Sequence, residues 1–204
     1  MIKEVTIIDY DAGNIFNLYN SLSRLNCNVK IASSAKEIEK SERLIIPGVG
    51  AFKEGLKNLE EKKLSKSIKI FAEKQRPMLG ICLGMQYLMD YSEEFGKTEG
   101  LKIISGNVKK FNSTKKYRVP HIGWNYVKHS KDKIFSSLNQ NPTFYFCHSY
   151  FVNSSDIGNV IGESEYAEIE FCAVIRKKNI YGCQFHPERS GKDGEIFLKN
   201  FIDT

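Results

Sequence analysis

The chain reads as an α/β fold with a parallel core flanked by helices and with additional antiparallel strands. Three observations carry that expectation. Short apolar strands alternate with helical stretches through the first half. Leu44-Ile45-Ile46 is apolar on both faces, as a buried parallel strand must be. The second half changes to longer strands joined by polar turns, such as Lys177-Lys178-Asn179.

Taken in order, Met1-Ile2-Lys3-Glu4-Val5 opens as a short strand rather than a leader, and Val5 to Ile8 continues it into a turn with Gly13. A helix is predicted over 14–25, carrying Ile15, Leu18, Leu22 and Leu25. Val29 to Ile31 and Leu44 to Ile46 are the next strands. A helix with Phe52, Leu56 and Leu59 on one stripe follows, and Ser65 is placed as the cap of another that turns Ile68, Phe71 and Ala72 inward. Met78 to Ile81 is the fourth strand, with a helix from Leu83 to about Tyr91. Strands are then expected over 103–111, 119–127, 143–152 and 171–185, surface loops over 112–118 and 128–142, and a last helix over about 192–203. No linker or repeat divides the 204 residues, which suit one domain spanning 1–204.

The net charge of +6 arises from 30 Lys and Arg against 24 Asp and Glu, scattered rather than clustered with aromatics. That pattern argues against a nucleic-acid surface. No apolar run reaches the roughly 20 residues a membrane span needs. Five cysteines without a Cys-x-x-Cys pair argue against a disulfide framework or structural zinc, and no two histidines have ligand spacing. A reduced, cytoplasmic setting is expected, in which the sequons at Asn112 and Asn153 are accidental.

The chemistry centres on Gly80-Ile81-Cys82-Leu83-Gly84, which has the form of a turn that lifts a nucleophile above a sheet. Placed at a helix N-terminus, Cys82 would be favoured as thiolate. His186 and Glu188 follow an apolar strand. With Pro187 holding the segment extended, the two side chains point the same way, and the carboxylate orients the imidazole as base. His148 is the rival base, without an acidic neighbour in sequence. Pro47-Gly48-Val49-Gly50 offers backbone N–H groups for an oxyanion hole, with the Leu83 N–H as the second donor.

Pro47-Gly48-Val49-Gly50, Gly80-Ile81-Cys82-Leu83-Gly84-Met85-Gln86 and His186-Pro187-Glu188 resemble the three motifs of class I (triad) glutamine amidotransferases. More narrowly, Pro47 to Phe52, Pro120-His121-Ile122-Gly123-Trp124-Asn125 and Phe185 to Ser190 are similar to the glutaminase subunits of imidazole glycerol phosphate synthase, and the likeness runs from Asp9-Tyr10 to the final helix. The resemblance implies a flavodoxin-like mixed sheet and hydrolysis of glutamine by Cys82, His186 and Glu188, with Gly48, Val49 and Leu83 at the oxyanion. It implies that Gly50, Gln86, Glu94, Ser149 and Tyr150 hold glutamine, and that neither cofactor nor metal is used. It implies a heterodimer with a (β/α)8-barrel cyclase subunit, HisF, which receives the ammonia. That cyclase makes imidazole glycerol phosphate and aminoimidazole-carboxamide ribonucleotide in histidine synthesis. Asn14, Trp124, Tyr145 and Arg189 match interface positions. Arg189 stands where the family usually has Lys, and Asp11 where Gly is common. The alternatives are a paralogous glutaminase serving an enzyme of amino- or amidino-sugar synthesis, a non-catalytic subunit, and a free-standing cysteine hydrolase.

Overall fold

The computed structural model describes residues 2–113 and 116–204. In the first half, β1 (Glu4–Ile8), α1 (Ile15–Ser23), β2 (Asn28–Ala32), α2 (Ala35–Lys40), β3 (Leu44–Ile46), α3 (Phe52–Glu61), α4 (Ser65–Glu73), β4 (Met78–Ile81) and α5 (Leu83–Tyr87) alternate. The second half holds β5 (Tyr91–Ser92), β6 (Thr98–Glu99), β7 (Gly106–Lys110), β8 (His121–Tyr126), β9 (Lys128–His129), β10 (Thr143–His148), β11 (Tyr150–Ser154), β12 (Val160–Tyr166), β13 (Ile169–Lys177), β14 (Ile180–Cys183) and the closing helix α6 (Gly191–Ile202).

The sheet is mixed. Strands β2-β1-β3-β4-β14 run parallel, and β13, β11 and β7 extend it antiparallel, with β5 and β6 at the far edge. The parallel core is apolar because both faces are covered: β3 and β4 are buried at every residue. One cluster joins α3, α4 and α5 to Ile8, Ile46 and Met78. The other joins α1 and α6 to Ile7, Ile45, Leu79 and a set of phenylalanines, with Phe144 stacked on Phe185 at 3.8 Å.

Strand β10 leaves the main sheet and pairs only with β8, as an antiparallel ribbon. Its inner face is Phe144, Phe146 and His148, all buried. The outer face of β8 shows Ile122, Trp124 and Tyr126 to solvent at 58, 59 and 64% exposure. The ribbon is tied to the end of β14 by the His186 amide, which donates to the Tyr145 carbonyl at 2.9 Å.

Several expectations need correction. The fourth helix is five residues, not nine, because Tyr91 and Ser92 turn away to pair beside β7. Ser65 is the first residue of α4, not its cap; Leu64 holds that place with no side-chain hydrogen bond. Helix α2 and strand β12 were not anticipated. Residues 128–142 are not simply a surface loop, since they hold β9 and a 3-10 turn that buries Ile134 and Phe135. The opening strand begins at Glu4, and Met1 lies outside the described residues, as do Thr114 and Lys115 of the 112–118 stretch and its sequon. All five cysteines are free thiols.

Candidate active site

Strand β4 ends at Ile81, and the next residue turns the chain sharply into α5. Cys82 has φ 54° and ψ −108°, a conformation that L residues avoid and that costs on the order of 1–3 kcal/mol. Neighbouring bonds hold it there. The Cys82 amide donates to the Cys183 carbonyl at 2.7 Å, and the Cys82 carbonyl accepts from the Met85 and Gln86 amides. The turn is possible only because α5 presses onto its neighbours. A Cβ on Gly84 would stand 1.9 Å from the Ile46 carbonyl oxygen, and one on Gly48 would stand 2.6 Å from the Gly84 nitrogen. Glycine at both positions brings the Pro47-Gly48-Val49 turn against the start of α5. The Tyr10 hydroxyl, donating to the Pro47 carbonyl at 2.5 Å, fixes that turn from below.

His186 follows β14, and its Nδ1 lies 2.9 Å from Glu188 Oε1. Residues Pro187–Arg189 form a 3-10 turn rather than an extended segment, and the turn folds the carboxylate back onto the ring. With Nδ1 occupied, Nε2 is the nitrogen left for the Cys82 sulfur. Burial works against the charged ring. The Cys82 sulfur and the Glu188 carboxylate outweigh burial and push the His186 pKa up to about 11. Both side chains of the His186–Glu188 pair are nearly inaccessible, at 6% and 4%.

Cys82 and His186 open into a cleft of about 190 Å³. Val49, Gly50, Leu83, Gln86, Glu94, Ser149 and Tyr150 line it, so every predicted substrate residue and two of the three predicted oxyanion residues face the same space. Gly48 borders the smaller pocket behind it, together with Asn14, His186 and Glu188. Glu94 is anchored at the rim by the Phe52 amide, which donates to Oε2 at 2.5 Å. Gly50 has φ +101°, in the region that favours glycine.

The rival base is placed differently. His148 lines the cleft, but its Nδ1 lies 2.9 Å from the Tyr150 carbonyl and its Nε2 lies 3.0 Å from His121 Nδ1. Burial lowers its pKa to about 3, so it is neutral and engaged at both nitrogens. The predicted interface residues divide into two places. Trp124 and Tyr145 are cross-strand partners with rings 6.2 Å apart, and the Arg189 guanidinium lies 4.3 Å over the Tyr145 ring. Asn14 caps α1, accepting from the Asn17 amide.

Sequence reasoning assigned no role to Gln184, whose Nε2 donates to the Cys82 sulfur at 3.6 Å. The signal was present: a glutamine in the apolar run Gly182-Cys183-Gln184-Phe185 is buried and needs partners.

The glutamine amidotransferase class-I family model matches residues 6–204. The imidazole glycerol phosphate synthase subunit HisH of Caldanaerobacter subterraneus subsp. tengcongensis is 46% identical over 198 residues, covering 97% of this chain and 96% of the relative. HisH 2 of Methanococcus maripaludis is 42% identical over 200 residues, covering 97% and 98%. Among solved structures, a chain of PurLQS from Thermotoga maritima superposes with a TM-score of 0.76 over 100% of this chain and 99% of its own, at 17% identity, a likeness of fold. The chain therefore belongs to the class-I glutamine amidotransferases, in the branch of the HisH subunits of imidazole glycerol phosphate synthase. It is a glutamine-hydrolysing enzyme subunit, and a sugar-pathway paralogue is not favoured. Among the described residues, no helix is long and apolar enough to cross a membrane.

Proposed function

We propose that Cys82, His186 and Glu188 hydrolyse glutamine and that the ammonia passes to the cyclase subunit HisF, in the cytoplasm, from one glutaminase domain spanning residues 1–204. The observation that carries the assignment is the meeting of a strained, buried cysteine with a carboxylate-held histidine at a cleft of the right lining. The Cys82 sulfur adds to the side-chain amide carbon of glutamine, and the carbonyl oxygen becomes an oxyanion. Backbone N–H groups of Val49 and Leu83 receive that charge, with Gly48 giving the turn freedom to aim its donor. His186, charged in the resting site, gives its proton to the leaving nitrogen, and ammonia departs as the thioester forms. Water then attacks the thioester while His186 takes its proton, and glutamate leaves with the sulfur free again. Glu188 keeps Nδ1 protonated throughout, so Nε2 alone exchanges the proton.

Gln86, Glu94, Gly50, Ser149 and Tyr150 hold the amino acid end of glutamine. Glu94 supplies a carboxylate for its ammonium, and the 149–150 backbone supplies polar groups for the rest. Ammonia released to water would be protonated and lost as a nucleophile, so the acceptor enzyme must sit on the site. Trp124, Tyr145 and Arg189 form a continuous aromatic and cationic patch for it, with Asn14 beside the pocket behind His186. Trp and Arg at such places are the residue types that carry interface energy.

The test is glutamate release from the purified chain alone, and with the cyclase and its nucleotide substrate. The expected result is low release alone, a rise by orders of magnitude in the mixture, and no release in Cys82→Ala. Full activity without the cyclase, or no response to it, would contradict the partner assignment.

A further inference from the structure

We infer that Gln184, His148 and His121 are positioning residues for Cys82, forming one buried hydrogen-bond chain that runs from strand β8 to the sulfur. The inference rests on Cys82 being the nucleophile and extends the site beyond its substrate-lining residues.

The chain is continuous. Asn125 Nδ2 lies 3.4 Å from His121 Nε2. His121 Nδ1 lies 3.0 Å from His148 Nε2, and His148 Nδ1 lies 2.9 Å from the Tyr150 carbonyl oxygen. That oxygen also accepts from Gln86 Nε2 at 3.0 Å. The second Gln86 N–H donates to Gln184 Oε1 at 3.1 Å, and Gln184 Nε2 donates to Cys82 Sγ at 3.6 Å. His121, His148, Gln86 and Gln184 are all buried.

Only one set of proton positions satisfies every link. The Tyr150 carbonyl can only accept, so His148 carries its proton on Nδ1 and accepts at Nε2. His121 must then donate from Nδ1 and accept at Nε2, where Asn125 supplies an N–H. Both imidazoles are neutral in this scheme. Burial supports it by lowering their pKa values to about 4 for His121 and about 3 for His148. Ring packing holds His121 in line, since it is stacked between Tyr166 at 4.1 Å and Phe146 at 4.9 Å. The Gln86 amide orientation follows from its two acceptors, and that orientation in turn fixes which end of Gln184 faces the sulfur.

The consequence is chemical. An N–H aimed at sulfur sets the direction of its lone pairs and interacts with the charge the sulfur carries when it attacks. Gln184 provides that donor from a side chain with no freedom of its own. The far end of the chain lies on β8, whose other face carries Trp124. The nucleophile and the exposed aromatic face are thus linked through bonded groups with fixed proton positions.

The test is the rate of Cys82 alkylation by iodoacetamide at neutral pH, read by mass spectrometry of the Cys82 peptide because Cys147 is also exposed. Glutaminase kcat and KM with the cyclase bound are measured beside it. Gln184→Met keeps the bulk and removes the donor; Cys82 alkylation and kcat are expected to fall roughly tenfold. His121→Phe keeps the stacked ring and removes the donor, with a fall of roughly threefold expected. His121→Asn places an amide nitrogen where Nδ1 stands, and alkylation is expected to stay within about 1.5-fold of the unaltered chain. Unchanged alkylation in folded Gln184→Met would overturn the inference, as would equal rates for His121→Phe and His121→Asn. The His121 pair keeps the test decisive even if Gln184→Met fails to fold. Turnover that survives in Cys82→Ala would instead overturn the nucleophile assignment itself.

Discussion

The parallel half of the sheet and its antiparallel extension do different work at one cleft. The parallel half supplies the reactive atoms. Cys82 stands at the end of β4, the Gly48 turn at the end of β3, and His186 past the end of β14. Its strands β3, β4 and β14 are buried at every residue, and the contacts at Gly48 and Gly84 leave no room for a methyl group. The antiparallel half supplies what surrounds those atoms. Glu94 comes from the far edge beside β5, Ser149 and Tyr150 from the junction of β10 and β11, and Trp124 from the β8–β10 ribbon. Chemistry is thus placed where the backbone has least freedom, and recognition where strands are exposed on one side.

Substitutions separate the two halves. The largest expected effect is on chemistry. Glu188→Gln keeps the shape but releases the His186 tautomer, and kcat is expected to fall about 10³-fold with KM changed little, measured by steady-state glutamate release. A smaller loss of both quantities together would place Glu188 in structure rather than in proton transfer.

The next effect is on stability. Gly84→Ala forces a Cβ to 1.9 Å from the Ile46 carbonyl oxygen, which is backbone and cannot swing aside. A loss of about 3 kcal/mol is expected, read as a lowered urea midpoint at unchanged slope. The same substitution at Gly123 in the ribbon meets nothing within 4 Å, although its φ of +138° carries strain, so it should cost less. Equal costs would remove the contrast between a tight parallel half and a looser ribbon.

Trp124→Ala addresses recognition. Affinity for the cyclase is expected to weaken about 30-fold, or about 2 kcal/mol, by calorimetric titration, with the far-UV spectrum unchanged. Unchanged affinity would move the docking face away from β8.

The smallest effect is a pH dependence. His121 and His148 have folded pKa values of about 4 and about 3, below the unfolded value near 6.5. The unfolded chain then binds more protons, so the stability they contribute is complete above about pH 6.5 and is lost as the pH falls toward about 4 for His121 and about 3 for His148. His186 runs the other way: its contribution is complete below about pH 6.5 and is lost as the pH climbs toward about 11. Between pH 7.5 and 5.5 each neutral histidine withdraws on the order of 1 kcal/mol and His186 returns about as much, so the unfolding free energy from urea titration should fall by on the order of 1 kcal/mol in all. That drop should be absent in the His121→Phe/His148→Phe double variant. The same pH dependence with and without the pair would contradict the neutral chain.

The two halves also differ in how far the sequence reveals them. Strands β1, β3 and β4 and helices α1, α3 and α4 follow from apolar runs and stripes, because burial on a full face leaves a simple pattern. Helix α2 was missed because Ile38 is its one buried residue; its signal was the capping box of Ser34 and Glu37. Strand β12 was missed because two of its inward positions are Gly162 and Ser164, which a hydrophobicity pattern does not count as core. At the site, Cys82 and the Gly48 turn are legible because special backbone geometry demands glycine nearby. The His186–Glu188 pair is legible as a pair, but its 3-10 turn is not, since Pro187 suits both an extended segment and the first position of a helical turn. The Gln184–His148–His121 chain links the paired strands β8 and β10 to the residue just past β14, and no local pattern announces a bond made by topology.

The most direct test of the account is to quench the chain during glutamine turnover in complex with the cyclase and locate the covalent intermediate by peptide mass spectrometry. A γ-glutamyl group on Cys82, absent in Cys82→Ala along with turnover, is the predicted result. Turnover that persists without Cys82, or a glutamyl group on another residue, would contradict it.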